Sequence, residues 1–524
     1  MKKTMCYTVL AVAMSIPAAS YAVTPKLAIG YGHMLLLKSD GTVLAWGSNG
    51  SGQLGTGNYT SSTTPVAVPG LAGVVDVAAR GSFSMALKAD GTVWVWGNNS
   101  DNLAGYATSG GVFRNVPTQV AGMKNMIGIA AAFDGLTAFA LDKNRAAWSW
   151  GNNGNGELGN GSGPKGVPAQ IANTSDVTRI SATNSQVVAL RSSGAALAWG
   201  YNNSADSLRV GGYKGSYAPA SAVNVSTIAT LEAVPSNTSG LFMATDAQGN
   251  VLSWGDTNSG LLTCHQVSGS ATGSLSQPYT ITGLTGITQV AGGGTYALFL
   301  DNKGAVKGCG VNDKGQLGDG TTAETSQSST PAKVGPVQTL GLPTDVAYIA
   351  AGDDASGAIG ASGNVYTWGR ASSGLSGVSG QTATSNTQAT AVGVNAGDFG
   401  NAPATYAGTQ SGAINKTSID VGVAVAPSHV GSAGEIYLVA ILPNGAIYVG
   451  ESNGAWGPYD PQKPFAPYFK GTLPSRYPIP IIQDGDFSGL EGLALVVGYG
   501  LGSDSAANSD MLNNKRYSAV LTLQ

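Results

Sequence analysis

The residues Gly32-His33-Met34-Leu35-Leu36-Leu37-Lys38-Ser39-Asp40-Gly41-Thr42-Val43-Leu44-Ala45-Trp46-Gly47, running on through Gln53-Leu54-Gly55, decide how this chain is read. Apolar residues alternate with small or polar ones on both sides of Asp40-Gly41, as in two short strands. Asp-Gly between such runs signals a hairpin, and predicts a type I′ turn with positive φ at its central residues. The second strand ends on Trp-Gly, and a glycine-rich loop follows.

The unit recurs. Its Trp position falls at Trp46, Trp96, Trp150, Trp199, Trp254, Cys309 and Trp368, with gaps of 50, 54, 49, 55, 55 and 59 residues. A glycine follows each: Gly47, Gly97, Gly151, Gly200, Gly255, Gly310 and Gly369. The turn glycine is Gly41, Gly91, Gly194, Gly249, Gly304 and Gly363, with Arg145 as the exception. Repeats of about this length mark propellers, solenoids and arrays.

The pattern L-x-x-D-G-x-V-x-x-W-G-x-N-x-x-G-Q-L-G resembles the repeat of the regulator-of-chromosome-condensation family. It is cleanest in residues 33–55, 137–159 and 296–318, and decayed in 186–212 and 355–377. The resemblance covers residues 24–395 and implies a seven-bladed β-propeller. It also implies that strands from both ends of the repeat region share one blade to close the ring. It does not fix a function. Eukaryotic members act on chromatin and a small GTPase, whereas secreted bacterial relatives include a β-lactamase inhibitor protein and other binding proteins.

Glycine supplies 77 of 524 residues and charged side chains only 10%. Average chains have about 7% glycine and about a quarter charged residues, so this composition suits short strands and tight turns. Residues 1–22 read as a secretory signal: Lys2 and Lys3, an apolar stretch from Tyr7 to Ile16, and a small-x-small site at Ser20-Tyr21-Ala22. The apolar stretch is far below the roughly 20 residues a membrane span needs. A cut after Ala22 places the mature protein in the periplasm or the medium. Removing two lysines from the 26 basic side chains leaves 24 against 29 acidic ones. An acidic chain has little electrostatic hold on nucleic acid, so no nucleic-acid partner and no chromatin role are expected. The two cysteines left, Cys264 and Cys309, suggest a disulfide in an oxidising compartment; two buried free thiols are the alternative.

Within residues 74–125 four strands are predicted, at Val74–Ala78, Ser84–Lys88, Thr92–Trp96 and Pro117–Val120; within 287–334 they fall at Ile287–Ala291, Tyr296–Leu300, Ala305–Cys309 and Pro331–Val334. The tryptophans Trp46, Trp96, Trp150, Trp199, Trp254 and Trp368 read as structural wedges packed against the next blade. The loops before each fourth strand vary and share one face of the disc. They carry Tyr59, Tyr106, Phe113, Arg114, Arg209, Tyr213 and Tyr217, side chains of the kind enriched at binding hot spots.

Residues 396–414 are small and polar and read as a linker. Residues 415–524 show short alternating runs between turn signals, the pattern of a small β-sandwich. Pro458 to Pro480, rich in proline and aromatics (Tyr459, Phe465, Tyr468, Phe469, Tyr477), reads as a lid on that module or as an exposed contact surface.

The three histidines, His33, His265 and His429, have no partner at metal-ligand spacing, and Asp353-Asp354 and Asp484-Gly485-Asp486 lack the spaced oxygens of a calcium loop. His33 is expected to be a hydrogen-bonded blade residue. No metal, cofactor or catalytic motif is predicted. The expectation is an exported all-β protein, a seven-bladed propeller (23–395) with a C-terminal sandwich, binding a protein or glycan at the cell surface or in the medium without being an enzyme. The alternatives are a glycan-cleaving propeller with axial carboxylates and a subunit of a pilus-like surface assembly.

Overall fold

The computed structural model describes residues 23–105, 113–160, 166–202, 216–221, 228–234, 240–256, 274–322, 336–380, 384–397, 405–411, 417–424, 433–442, 447–450, 456–458, 467–472, 476–485, 494–501 and 517–522. Residues 1–22, expected to be a signal segment, lie outside them.

Seven four-stranded antiparallel sheets follow one another along the chain, each made of four consecutive strands. We number them as blades: 1 (residues 26–67), 2 (74–119), 3 (126–170), 4 (177–221), 5 (228–280), 6 (287–338) and 7 (346–395). The innermost strand of each blade touches that of the next, and Lys26–Ile29 of blade 1 touches Val346–Ala351 of blade 7, so the ring closes. Among the described residues no strand is shared between the two ends, contrary to what the resemblance implied. Closure rests on packing and on single bonds such as Ser39 N–H to the Ala396 carbonyl at 2.7 Å. The fourth strand of blade 6 is Val337–Gln338, four residues or more beyond the stretch expected from sequence, which lies outside the described residues.

The hairpin between second and third strands differs in detail from the expected type I′ turn. Gly41 N–H bonds the Lys38 carbonyl and Lys38 N–H bonds the Thr42 carbonyl. Gly41 has φ +76° while Asp40 keeps negative φ. This is a type I turn followed by a glycine bulge. Asp40 closes it by accepting from Thr42 N–H and Thr42 Oγ1–H. Arg145, in the glycine place of blade 3, holds the same conformation at φ +60°.

The Trp-Gly pair and the Gln-Leu-Gly loop are two halves of one contact. All six tryptophans are buried. Each of five indoles donates Nε1–H to a loop carbonyl of the preceding blade: Trp96 to Gln53, Trp150 to Leu103 and Trp199 to Glu157 at 2.8 Å, Trp368 to Gln316 at 2.9 Å, and Trp46 to Leu375 at 3.2 Å. The wedge therefore faces backward along the chain, not toward the next blade. The last bond joins blade 1 to blade 7. Gly55, Gly159, Gly318 and Gly377, ending those loops, lie where a Cβ would meet the incoming indole Nε1 at 2.8–2.9 Å. The glycine after each Trp has positive φ, and a Cβ there would lie 2.3–2.6 Å from a backbone carbonyl oxygen of its own blade. At the blade 6 position the indole is replaced by Cys309, buried and disulfide-bonded. Cys264, the partner expected for it, lies outside the described residues.

Beyond the propeller, Thr405–Ser411, Thr417–Ala424 and Arg476–Gly485 form one antiparallel sheet. Ala433–Ile441 is central in a second, paired with Ile447–Gly450, Phe469–Thr472 and Ala494–Leu501. The stretch expected to be a linker thus contains a strand, because Thr405–Ser411 pairs in register with Thr417–Ala424. Phe469 and Tyr477 of the expected lid are likewise strand residues, while Tyr459 and Phe465 lie outside the described residues.

The wedge makes a graded prediction. Trp96→Phe removes the indole donor and should cost about 1 kcal/mol, whereas Trp96→Ala leaves a cavity worth about 3–5 kcal/mol. Chemical denaturation of the full chain measures both, and an alanine variant as stable as wild type would refute the wedge.

Candidate functional site

Chain direction fixes which loops share a face. The first and third strands of a blade end on the same side, so the turns after the first strands and the long loops after Trp-Gly lie together, with the Asp-Gly hairpins opposite. In blades 1–4, 6 and 7 the residue after Trp-Gly donates its N–H to the first turn of its own blade, as Ser48 does to Gly32 at 2.7 Å and Asn98 to Ser82 at 2.9 Å.

In blades 1, 2, 3 and 6 the long loop is folded by the asparagine three residues after the Trp position; blades 5 and 7 carry Thr257 and Ala371 there. Asn49, fully buried, accepts from Leu54 N–H at 2.9 Å and donates to the Asn58 and Thr60 carbonyls at 3.0 and 3.1 Å. Asn99 and Asn312 accept from Ala104 and Leu317 in the same way. The blade 1 loop then rests on the fourth strand of blade 2, through Gly57 N–H to the Asn115 carbonyl and Asn115 Nδ2–H to the Gly57 carbonyl. From this fixed support Tyr59 and Phe113 project, 51% and 44% exposed, with Val116 at 46%. Arg114, between them, is half-buried. Tyr217 falls in the strand Ser216–Ser221; Tyr106, Arg209 and Tyr213 lie outside the described residues.

At the centre of this face a cavity of about 310 Å³ opens among Tyr31, Asn98, Phe133, Asp134, Asn184 and Asp353. Its floor is Arg80, which crosses the axis from blade 2 to donate to the Ala351 carbonyl at 2.9 Å and the Gly292 carbonyl at 3.4 Å. The Phe133 ring lies 5.2 Å from the guanidinium. Arg80 also lines the channel below, so it partitions the axis. On the rim, Arg370 sits 4.3 Å over the Tyr31 ring, donates to the Tyr31 carbonyl, and faces Asp353 and Asp354 at 3.6 and 3.8 Å. Tyr31 is 57% exposed. Burial raises both aspartates above the ordinary carboxylate range, and their mutual repulsion adds to the shift of Asp353. Asp134 is pushed up to about 6, chiefly by burial, with Glu157 and Asp101 adding repulsion.

His33 is a seam residue. Its Nε2 lies 2.8 Å from Ser84 Oγ, whose hydrogen goes to the Gln53 carbonyl. The imidazole must therefore be the donor at Nε2. Tyr296 and Ser356 repeat the arrangement between blades 6 and 7, with Ser356 bonding the Gln316 carbonyl. Burial holds His33 down at about 3.

The geometry defines a closed seven-bladed propeller with a decorated loop face and an axial channel of largely apolar walls that carries a few charged side chains. Two profiles of the regulator of chromosome condensation (RCC1) repeat match it, one at residues 40–87, 146–190 and 303–359, the other at 26–53 and 74–102. The chain thus carries repeats of this type over those residues. It is 28% identical over 307 residues to mouse "E3 ubiquitin-protein ligase HERC2", covering 57% of this chain and 5% of that one. It is 30% identical over 242 residues to human "Probable E3 ubiquitin-protein ligase HERC6", covering 45% and 23%. The chain thus spans a small part of these relatives' length. Among solved structures, yeast RCC1 (Prp20) bound to Kap60 superposes with a TM-score of 0.59 at 19% identity, covering 75% of this chain and 89% of that one. Human WBSCR16 gives 0.56 at 18% identity, covering 70% and 96%.

Two titrations test the site. His33 is protonated more readily in the unfolded chain, near 6.5, than in the fold, near 3, so its contribution to stability is complete above pH 6.5 and is lost as pH falls. About 1.4 kcal/mol should disappear per pH unit below that point. His33→Tyr should flatten this slope in unfolding measured from pH 7 to 5; an unchanged slope would remove His33 from the account. Asp134 runs the other way: the fold holds its proton up to about 6 against 3.8 in the unfolded chain, so stability is lost as pH rises through 6. Asp134→Asn should stabilise at pH 7 by roughly 1 to 2 kcal/mol and have no effect at pH 3.5.

Proposed function

We propose that this chain is an exported binding protein, not an enzyme, whose loop face docks a protein partner outside the inner membrane. The observation that carries this reading is the exposure of Tyr59 and Tyr31 on loops, and of Phe113 and Val116 on the fourth strand of blade 2 where the sequence predicts a loop, beside a loop hydrogen-bonded into place. Rigid aromatic anchors lose little entropy on association, which favours tight recognition. The solved relatives named above support a protein as the ligand: yeast RCC1 was crystallised with Kap60, and Prp20p is described as binding Gsp1p and histones. Export is supported by the residue pattern of 1–22 and by the disulfide at Cys309, since disulfides persist in oxidising compartments. Glycan cleavage would need carboxylates free to act on substrate, whereas Asp353 and Asp354 both face Arg370.

The test is cross-linking capture of proteins from the periplasm and medium with full-length chain. Capture should fall at least about tenfold for the Tyr59→Ala/Phe113→Ala double variant, as loss of two anchors implies. It should be unchanged for Lys303→Ala, on the hairpin face. Equal capture by all three chains would overturn the assignment of the face.

A further inference from the structure

Below Arg80 the axial channel widens to about 480 Å³. Its walls are the innermost strands, lined mainly by alanine, glycine, valine and isoleucine, with Ile127 54% exposed to it. Into this apolar setting project Lys26, Asp76, Arg179, Glu232 and Tyr348. Lys26 Nζ lies 2.5 Å from Asp76 Oδ1, and Arg179 Nη2 lies 2.7 Å from Glu232 Oε2. Arg80 reaches the other oxygen of Glu232 at 3.8 Å and is faced by Asp353 from the mouth side. Tyr348 is within electrostatic range of both cations and both carboxylates.

The donors and acceptors do not balance. A lysine has three N–H donors and an arginine five. Lys26 uses one, toward Asp76, and Arg179 one, toward Glu232. The Tyr348 hydroxyl makes no hydrogen bond to a described residue. Three cations, Lys26, Arg80 and Arg179, share the channel lining with two carboxylates, Asp76 and Glu232. Asp353 answers Arg80 from the mouth side, so the imbalance lies at Lys26 and Arg179, whose further N–H donors face a largely apolar wall and can hold one anion. The planar fork of Arg179 matches a carboxylate, and the apolar wall favours a ligand with a hydrocarbon body over inorganic phosphate. The volume falls within the range of ordinary small-molecule sites.

We infer that the axial channel binds a small monocarboxylate, held by the Arg179 guanidinium, the Lys26 ammonium and the Tyr348 hydroxyl, with its apolar part against the alanine and isoleucine walls. This site is separate from the loop face and does not depend on protein binding there.

Calorimetric titration of the full chain with benzoate tests it, with benzamide and inorganic phosphate as controls. Benzoate should bind one to one, and at least about tenfold more tightly than either control, since the amide lacks the charge and phosphate the ring. Arg179→Gln should weaken benzoate about tenfold or more, and Tyr348→Phe also by about tenfold or more, the usual worth of a hydrogen bond to a charged group. Should Arg179→Gln fail to fold, Tyr348→Phe decides, because it removes one oxygen and no ion pair. Absent benzoate binding, equal binding of benzamide, or full affinity in Tyr348→Phe would each overturn the proposal.

Discussion

The ring depends on the bond from an indole N–H to a carbonyl in the preceding blade. In blades 1, 2, 3 and 6 that carbonyl lies on a loop folded by the motif asparagine, as Asn49 does for Gln53 and Asn312 for Gln316, whereas blade 7, with Ala371 in that place, presents the Leu375 carbonyl without it. The motif is therefore one device divided between two blades: the asparagine shapes a socket and the neighbour's tryptophan fills it. This explains why spacing is fixed from Trp to Gln-Leu-Gly and loose afterward. Chain beyond the socket makes no seam contact of this kind, so its length and composition can vary, and that is where the exposed Tyr59 lies.

The repeat made the fold legible, because a wedge, a positive-φ glycine and a hairpin turn leave residue types at constant offsets. In blade 2 the limits of the first three strands fall within two residues of those expected, while the fourth, Phe113–Gln119, begins four residues before the expected Pro117. In blade 6 the fourth strand is two residues long, Val337–Gln338, too short to leave an alternation that separates it from the loop. The turn type was missed because Asp-Gly suits both a type I′ turn and a type I turn with a glycine bulge. Only the hydrogen bond from Gly41 to Lys38 distinguishes them. Thr405–Ser411 reads as linker because it sits in a stretch without periodicity; what makes it a strand is a partner ladder, which composition does not encode.

The axial site was not legible for a different reason. Side chains that face the axis wedge against no neighbouring sheet, so the repeat places no common demand on them. Arg80, Arg179 and Glu232 come from blades 2, 4 and 5, and each looks like an isolated charge in its own repeat. Their meaning is set across the axis, where Arg80 meets Ala351 of blade 7 and both arginines meet Glu232. Burying such charges is costly unless they are paired, and the pairs seen here account for the two carboxylates but not for every donor.

The seam between blades 7 and 1 joins these themes. Lacking a shared strand, it has no backbone ladder and is held by the same wedge as other seams, Trp46 to Leu375, the longest of the five indole bonds at 3.2 Å. It is also where Arg370, Tyr31, Asp353 and Asp354 gather at the mouth. A partner seated on Tyr31 would contact the first blade while pressing on an arginine of the last. Binding there would add contacts across the seam that joins chain beginning to chain end, and anything that binds only the closed ring stabilises it by mass action. Recognition at the mouth and integrity of the ring are thus coupled by geometry, through residues that are 339 positions apart in sequence.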